Sequence, residues 1–281
     1  MNRTSPSDVR AWCQARGFHP NKTLGQNFLI DRNILEAIVA ETGAGEGSRV
    51  LEVGPGLGVL TEGLLRRGAR VTALEKDPAL AAWLRESLCR EFPDALELRE
   101  GDALEADWGA LLAQGFDAFA SNLPYSVGTR ILMELLGHAA APARLVMLVQ
   151  REVADRLAAP PGSPDRGTAS VWAQLDYDVR VARLVKPACF WPPPEVTSAV
   201  VTMTRHGRSG LDATGRAFLR ALVKQVFTQR RKQLGTVLRK APAPFRDLDP
   251  AAAGIDPTRR AETLSLTEWE ALAAQRKEPL P

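Results

Sequence analysis

The chain has 281 residues, room for one large domain and a small one, and its 45% hydrophobic and 25% charged content suits a globular protein in water. No run approaches the ~18 apolar residues of a membrane span and residues 1–20 hold no signal-peptide core; with Cys13, Cys89 and Cys189 scattered and no Cys-x-x-Cys pair, a cytoplasmic protein without a disulfide framework is expected. Three histidines (His19, His138, His206) without ligand spacing argue against a metal site, and the net charge of +3 is ordinary until it is resolved along the chain.

In chain order, Asp31 can cap a helix that runs to about Glu41. Residues 49–150 then alternate short β-branched runs with longer amphipathic stretches. Strands are predicted at 49–53, 70–75, 95–99, 116–121 and 145–149, with helices at 57–67, 78–92 and 127–136 between them. Such alternation implies a parallel, doubly wound, Rossmann-like sheet. Loops follow at 160–164 (PPGSP) and 187–194 (PACFWPPP), with strands at 179–185 and 196–204. After Gly210 the texture is helical only, over 213–229 and 230–240, and Ser265-Leu-Thr-Glu268 opens a last helix with a capping box. The expected organisation is an α/β domain over 1–207 and a small all-helical domain over 208–281.

Charge is concentrated at the start of that second domain. Residues 201–240 hold ten Lys/Arg and one acid, Asp212, so this stretch carries +9 and the remainder of the chain −6. Helix faces usually mix signs, and a one-signed block is better explained by a phosphate backbone as partner. Arg230, Arg231 and Lys232 are the predicted RNA contacts.

The first strand ends in Glu52-Val-Gly54-Pro-Gly56-Leu-Gly58. Glycines there allow a tight strand-to-helix turn and close approach of a ligand. A dinucleotide fingerprint would need a third glycine where Val59 stands, so the spacing suits an adenosine with an amino-acid tail better than a pyrophosphate. Glu75 falls 21 residues after Gly54, at the end of the second strand, where doubly wound folds place a carboxylate for the ribose hydroxyls. Asp102 follows the next strand and can accept a hydrogen bond from an adenine amino group. Together these read as an S-adenosylmethionine pocket.

The fourth strand runs into Asn122-Leu-Pro-Tyr125. An aromatic exocyclic amine is a poor nucleophile because its lone pair is delocalised into the ring. Two acceptors, the Asn122 side-chain oxygen and the Leu123 carbonyl, could hold its N–H groups and free that lone pair. Pro124 stiffens the turn and Tyr125 offers a face for a flipped-out base. Phe190, ahead of a proline run, is the candidate for the opposite face of the adenine.

These segments resemble the ribosomal RNA adenine dimethyltransferase family over nearly the whole chain. Leu24-Gly-Gln-Asn-Phe-Leu29 is similar to the family's N-terminal cofactor segment, and Asn122–Tyr125 to its catalytic motif. Residues 190–198 resemble its Phe-x-Pro-x-Pro-x-Val-x-Ser loop. Gln150-Arg-Glu-Val-Ala-Asp-Arg156, Val226-Phe-Thr-Gln-Arg-Arg-Lys232 and Arg260-Ala-Glu-Thr-Leu264 match further blocks. Two departures stand out: Arg166 where an aromatic is expected, and Gly235-Thr236 in place of more polar residues. The resemblance implies cofactor contacts at Asn27, Leu29, Gly54, Glu75, Asp102 and Asn122, to which the glycine turn adds Gly56. It also implies dimethylation of N6 on two adjacent adenines near the 3′ end of 16S ribosomal RNA, in small-subunit assembly. A monomer acting on the immature small subunit is expected. Two alternatives stay open: a 23S ribosomal RNA methyltransferase of the antibiotic-resistance type, and a non-catalytic assembly or transcription factor on the same fold. A DNA adenine methyltransferase is disfavoured, since those usually carry a double proline where this chain has Leu123-Pro124.

Overall fold

The alternation in residues 49–150 folds as part of a seven-stranded sheet, in a computed structural model that describes residues 1–21 and 24–277. The strands are β1 (Phe28–Leu29), β2 (Arg49–Val53), β3 (Arg70–Glu75), β4 (Leu96–Glu100), β5 (Ala118–Asn122), β6 (Arg144–Gln150), β7 (Tyr177–Val185), β8 (Phe190–Trp191) and β9 (Ser198–Arg205). The helices are α1 (Pro6–Ala15), α2 (Arg32–Thr42), α3 (Val59–Leu65), α4 (Pro78–Glu86), α5 (Leu88–Glu91) and α6 (Trp108–Leu112). Then come α7 (Gly128–Gly137), α8 (Arg151–Ala158), α9 (Thr168–Asp176), α10 (Ala213–Phe227), α11 (Leu234–Lys240) and α12 (Leu266–Ala274).

The strand order is β4-β3-β2-β5-β6-β9-β7. Neighbours from β4 to β6 pair in parallel, and β9 runs antiparallel to β6 along Arg144–Gln150. The sheet is therefore mixed and not wholly parallel. A doubly wound α/β sheet often carries such an antiparallel strand. β2 and β5 are buried on both faces, as strands covered by helices on both sides must be, with Val50, Leu51, Phe119 and Ala120 fully buried. β1 and β8 form a separate antiparallel ribbon in which Leu29 faces Phe190 and Phe28 faces Trp191.

Two compact units result: Met1–Ala154 with Arg180–Arg205, and Asp155–Val179 with His206–Pro281. The boundary expected after residue 207 lies near the last crossing, but the chain also crosses after Ala154 and after Val179. The reason is apolar. Val171 and Leu175 of α9 belong to a cluster with Phe218, Leu222, Leu238 and Trp269, the core of the second unit. Arg166, in the loop ahead of α9, is fully buried and donates to the Ala159 carbonyl and to Gln174 Oε1, both at 2.7 Å.

Caps follow the sequence. Asp31 accepts from the Ile34 N–H at 3.0 Å, and Gly43, in the left-handed region, ends α2. The Ser265–Glu268 capping box is formed at the start of α12. The helix expected over 78–92 is broken at Ser87, where α4 gives way to α5. The helix expected from 230 starts only at Leu234.

Candidate cofactor and catalytic site

The parallel strands β2, β3, β4 and β5 end at one edge of the sheet, where doubly wound folds bind ligands. A cavity of about 310 Å³, within the range of small-molecule sites, opens there. Asn27, Leu29, Gly54, Gly56, Glu75, Asp102, Asn122, Leu123, Pro124 and Tyr125 all line it. Phe190 does not.

Gly54 and Gly56 have φ of +68° and +60°, a region where side chains are strained. A Cβ on Gly56 would also lie 3.2 Å from the Phe28 ring. The turn is closed by the Gly58 N–H donating to the Pro55 carbonyl at 2.8 Å. Glu75, nearly buried, accepts from the Gly56 N–H through one carboxylate oxygen and from the Asp77 N–H through the other, both at 2.9 Å. Burial pushes its carboxyl upward while those backbone donors oppose the shift. Each Glu75 oxygen keeps a lone pair for the cavity. Asp102 takes the Lys76 ammonium at 2.6 Å, which holds its carboxyl below the usual range, and accepts from the Leu104 N–H at 2.9 Å.

Glu52 was given no role from sequence, yet it lines the cavity at 1% exposure. Burial pushes its carboxyl up to about 8, against a hydrogen bond donated by Thr61 at 2.7 Å. An acid inside the otherwise apolar run Val50–Val53 was the available signal.

The Leu24–Leu29 segment forms a further wall of the cavity. A Cβ on Gly25 would come within 3.0 Å of the Tyr125 backbone nitrogen, so this segment lies directly on the tetrapeptide. Gln26 donates to Asp77 at 2.8 Å. The Asn122 side-chain N–H donates to the Asn27 carbonyl at 2.9 Å, which fixes the amide with Oδ1 as its remaining acceptor. The Leu123 N–H continues the ladder to the Leu148 carbonyl at 3.2 Å. Tyr125 shares a hydrogen bond with the hydroxyl of buried Ser198, and burial pushes its phenol upward. Ser198 closes the Phe190–Ser198 motif, so part of what that motif does is hold the tyrosine ring.

The predicted stacking pair is not brought together. Phe190 is 2% exposed and sits in the apolar core with Leu29, Ile34, Ile38 and Val200. Side chains alternate across a strand, so β8 sends Phe190 inward and its neighbour Trp191 toward the cluster around Phe28.

In the second unit the predicted RNA contacts divide. Arg230 donates to the Pro164 carbonyl and lies 3.9 Å from Glu262, whereas Arg231 and Lys232 are exposed. Arg208 pairs with Asp178, and Arg216 and Arg220 pair with Asp176. With 16 Lys/Arg against 12 Asp/Glu the unit carries +4, less than the +9 of residues 201–240 suggests. Among the described residues there is no cluster of metal-ligating side chains, and no helix is long and apolar enough to cross a membrane.

A mostly parallel sheet, a glycine turn, carboxylates on successive strand ends and an Asn-Leu-Pro-Tyr corner define a Rossmann-like methyltransferase. The chain belongs to the ribosomal RNA adenine dimethylase family, whose model matches residues 17–275. It is 42% identical over 256 residues to ribosomal RNA small subunit methyltransferase A of Syntrophotalea carbinolica, covering 90% of this chain and 96% of the relative. Its counterpart in Dinoroseobacter shibae is 44% identical, with 95% of each chain covered. Among solved structures, a dimethyladenosine transferase from Plasmodium falciparum shares the fold, with a TM-score of 0.74 at 23% identity over 87% of this chain and 95% of that one. The 23S rRNA methyltransferase ErmE matches with a TM-score of 0.66 at 27% identity, covering 88% and 98%.

Proposed function

We propose that the chain uses S-adenosylmethionine to dimethylate N6 of two adjacent adenines near the 3′ end of 16S ribosomal RNA, during small-subunit assembly. The observation that carries the chemistry is the Asn122 hydrogen bond to the Asn27 carbonyl. It commits the amide N–H to the protein and leaves Oδ1 as acceptor at the cavity. S-adenosylmethionine, when bound, supplies an electrophilic methyl on a sulfonium that leaves as a neutral thioether. Gly54 and Gly56 let it approach the backbone, Glu75 receives the ribose hydroxyls, Asp102 the adenine amino group, and Asn27 and Leu29 form a further wall. Asn122 Oδ1 and the Leu123 carbonyl hold the two N–H groups of the target amine, favouring a pyramidal nitrogen aimed at the methyl. Pro124 keeps this corner rigid, and Tyr125, tethered by Ser198, gives the flipped base a stacking face. No strong general base is required, because the amine sheds its proton only as it becomes cationic.

The small subunit is favoured as target because the 42–44% identical relatives carry that substrate in their names, against 27% for the 23S enzyme. Exposed Arg231 and Lys232 are assigned to RNA phosphates. The protein is taken to act in the cytoplasm as a monomer, which light scattering tests. The decisive assay offers the purified protein, in separate reactions, small subunits from a strain lacking this modification and unmodified 23S RNA, then digests each RNA for mass spectrometry. N6,N6-dimethyladenosine in 16S RNA is expected. Its appearance only in 23S RNA would favour the resistance-type reading, and its absence from both would leave a non-catalytic factor.

A further inference from the structure

The glycine turn has a weakness that its conformation makes plain. Gly58 has φ of +86°, and a peptide joined to glycine can turn over at little torsional cost. The peptide between Leu57 and Gly58 is therefore held by what grips its polar groups: its N–H donates to the Pro55 carbonyl at 2.8 Å, and its carbonyl takes two donors. Arg3 Nε donates to the Leu57 carbonyl at 2.8 Å and Trp83 Nε1 at 3.2 Å. Leu57 itself lines the cavity.

Arg3 reaches this carbonyl from the N-terminal segment and is only 7% exposed. Its other nitrogens donate to Glu62 at 2.6 Å, on the helix that follows the turn, and to Ser87 at 3.3 Å, at the break between α4 and α5. Its guanidinium stacks on Trp83 at 5.6 Å. One side chain thus joins the turn, the helix after it and the helix break behind it. α1 packs alongside. Val9 and Trp12 share an apolar cluster with Phe28, Leu57 and Leu80, all three of which line the cavity. The match to the family model begins at residue 17, beyond Arg3 and α1.

We propose that Arg3 is a positioning residue for the cofactor turn, and that α1 is the strap that carries it there. By saturating the Leu57 carbonyl, Arg3 keeps the 57–58 peptide in the orientation that shapes the cavity. This rests on the cofactor reading above, and its effect is on cofactor affinity, not on RNA.

The test is calorimetric titration of S-adenosylmethionine onto the full-length protein and its Arg3→Met and Arg3→Lys variants. Methionine keeps the apolar stem over Trp83 and removes every donor, so a Kd about tenfold weaker is expected, the size of one lost charge-assisted hydrogen bond. Lysine brings its donors on a single nitrogen and cannot span all three partners as the guanidinium fork does, so its Kd should fall between. The KM for cofactor should rise in parallel while the KM for RNA does not. If Arg3→Met does not fold, Trp83→Phe, which deletes the second donor to the same carbonyl, should weaken Kd about threefold, a neutral hydrogen bond's share. Unchanged Kd with a lowered melting temperature in these variants would overturn the proposal, making Arg3 a brace only. Failure of the unaltered protein to bind S-adenosylmethionine would instead sink the cofactor reading.

Discussion

Replacing both Arg231 and Lys232 with Gln should flatten the salt dependence of RNA binding, whereas Arg230→Gln should leave it unchanged. Of the ten cations between residues 201 and 240, Arg205 holds the Ala141 carbonyl at 2.7 Å, Arg208, Arg216 and Arg220 are paired with Asp178 and Asp176, and Arg230 is turned to Pro164 and Glu262. Lys224, Arg231, Lys232, Arg239 and Lys240 are exposed and have no acidic partner among the described residues. Each phosphate contact adds about 0.7–0.9 to the slope of log affinity against log salt, so the double variant should lose about 1.4–1.8 units. Fluorescence anisotropy on a short RNA hairpin, between roughly 50 and 200 mM salt, resolves a change of that size. Arg230→Gln should lower the melting temperature by loosening the 160–166 loop, with the slope intact. An unchanged slope in the double variant, or a larger loss in Arg230→Gln, would refute the division between solvated and committed cations.

Asn122→Ala should cut turnover by about 100-fold or more, the loss of one preorganised transition-state partner, and single-turnover kinetics would show it. Phe190→Ala should cost about 3–5 kcal/mol of stability as a core cavity, read by denaturant unfolding, where Tyr125→Ala should cost about 1–3 kcal/mol of base stacking, read as RNA affinity. Glu52 supplies a pH signature. Its carboxyl, ordinarily near 4.5, titrates near 8 when folded, so the unfolded chain releases this proton first and stability falls as pH rises through that window. Glu52→Gln should remove that slope, so its melting temperature should gain on the unaltered protein more at pH 8 than at pH 5; equal gains at both would mean that Glu52 is ionised in the fold.

The candidate site was largely legible because a parallel sheet delivers its strand ends to one edge whatever the details of packing. Glu75 and Asn122 end a strand, Gly54 and Asp102 come within two residues of one, and alternation alone fixes where they go. Residues whose place depends on long-range contact were not legible. Phe190 was assigned to the cavity from its motif, but its direction is set by pairing with Leu29, far away in the chain. The +9 block looked uniformly free because Asp176 and Asp178, which neutralise part of it, lie outside the block in sequence. α9 was missed as part of the helical unit because Val171 and Leu175 find their partners only after residue 213. Arg3 carried no signal: one arginine in a short polar segment looks like any surface charge.

The interrupted first unit sets a constraint on synthesis. A ribosome releases the glycine turn, Glu75, Asp102 and the Asn-Leu-Pro-Tyr corner early, but the strand that backs Leu29 and the serine that holds Tyr125 come only after residues 155–179 have been made. Until Phe190–Trp191 arrive, β1 has no partner strand, and the wall that carries Asn27 lacks its backing. A nascent chain would hold an open, half-walled cavity through that interval. Excising the helical unit for engineering would likewise need three cuts, after residues 154, 179 and 205, since a single truncation near residue 210 strands α9 with its apolar face uncovered.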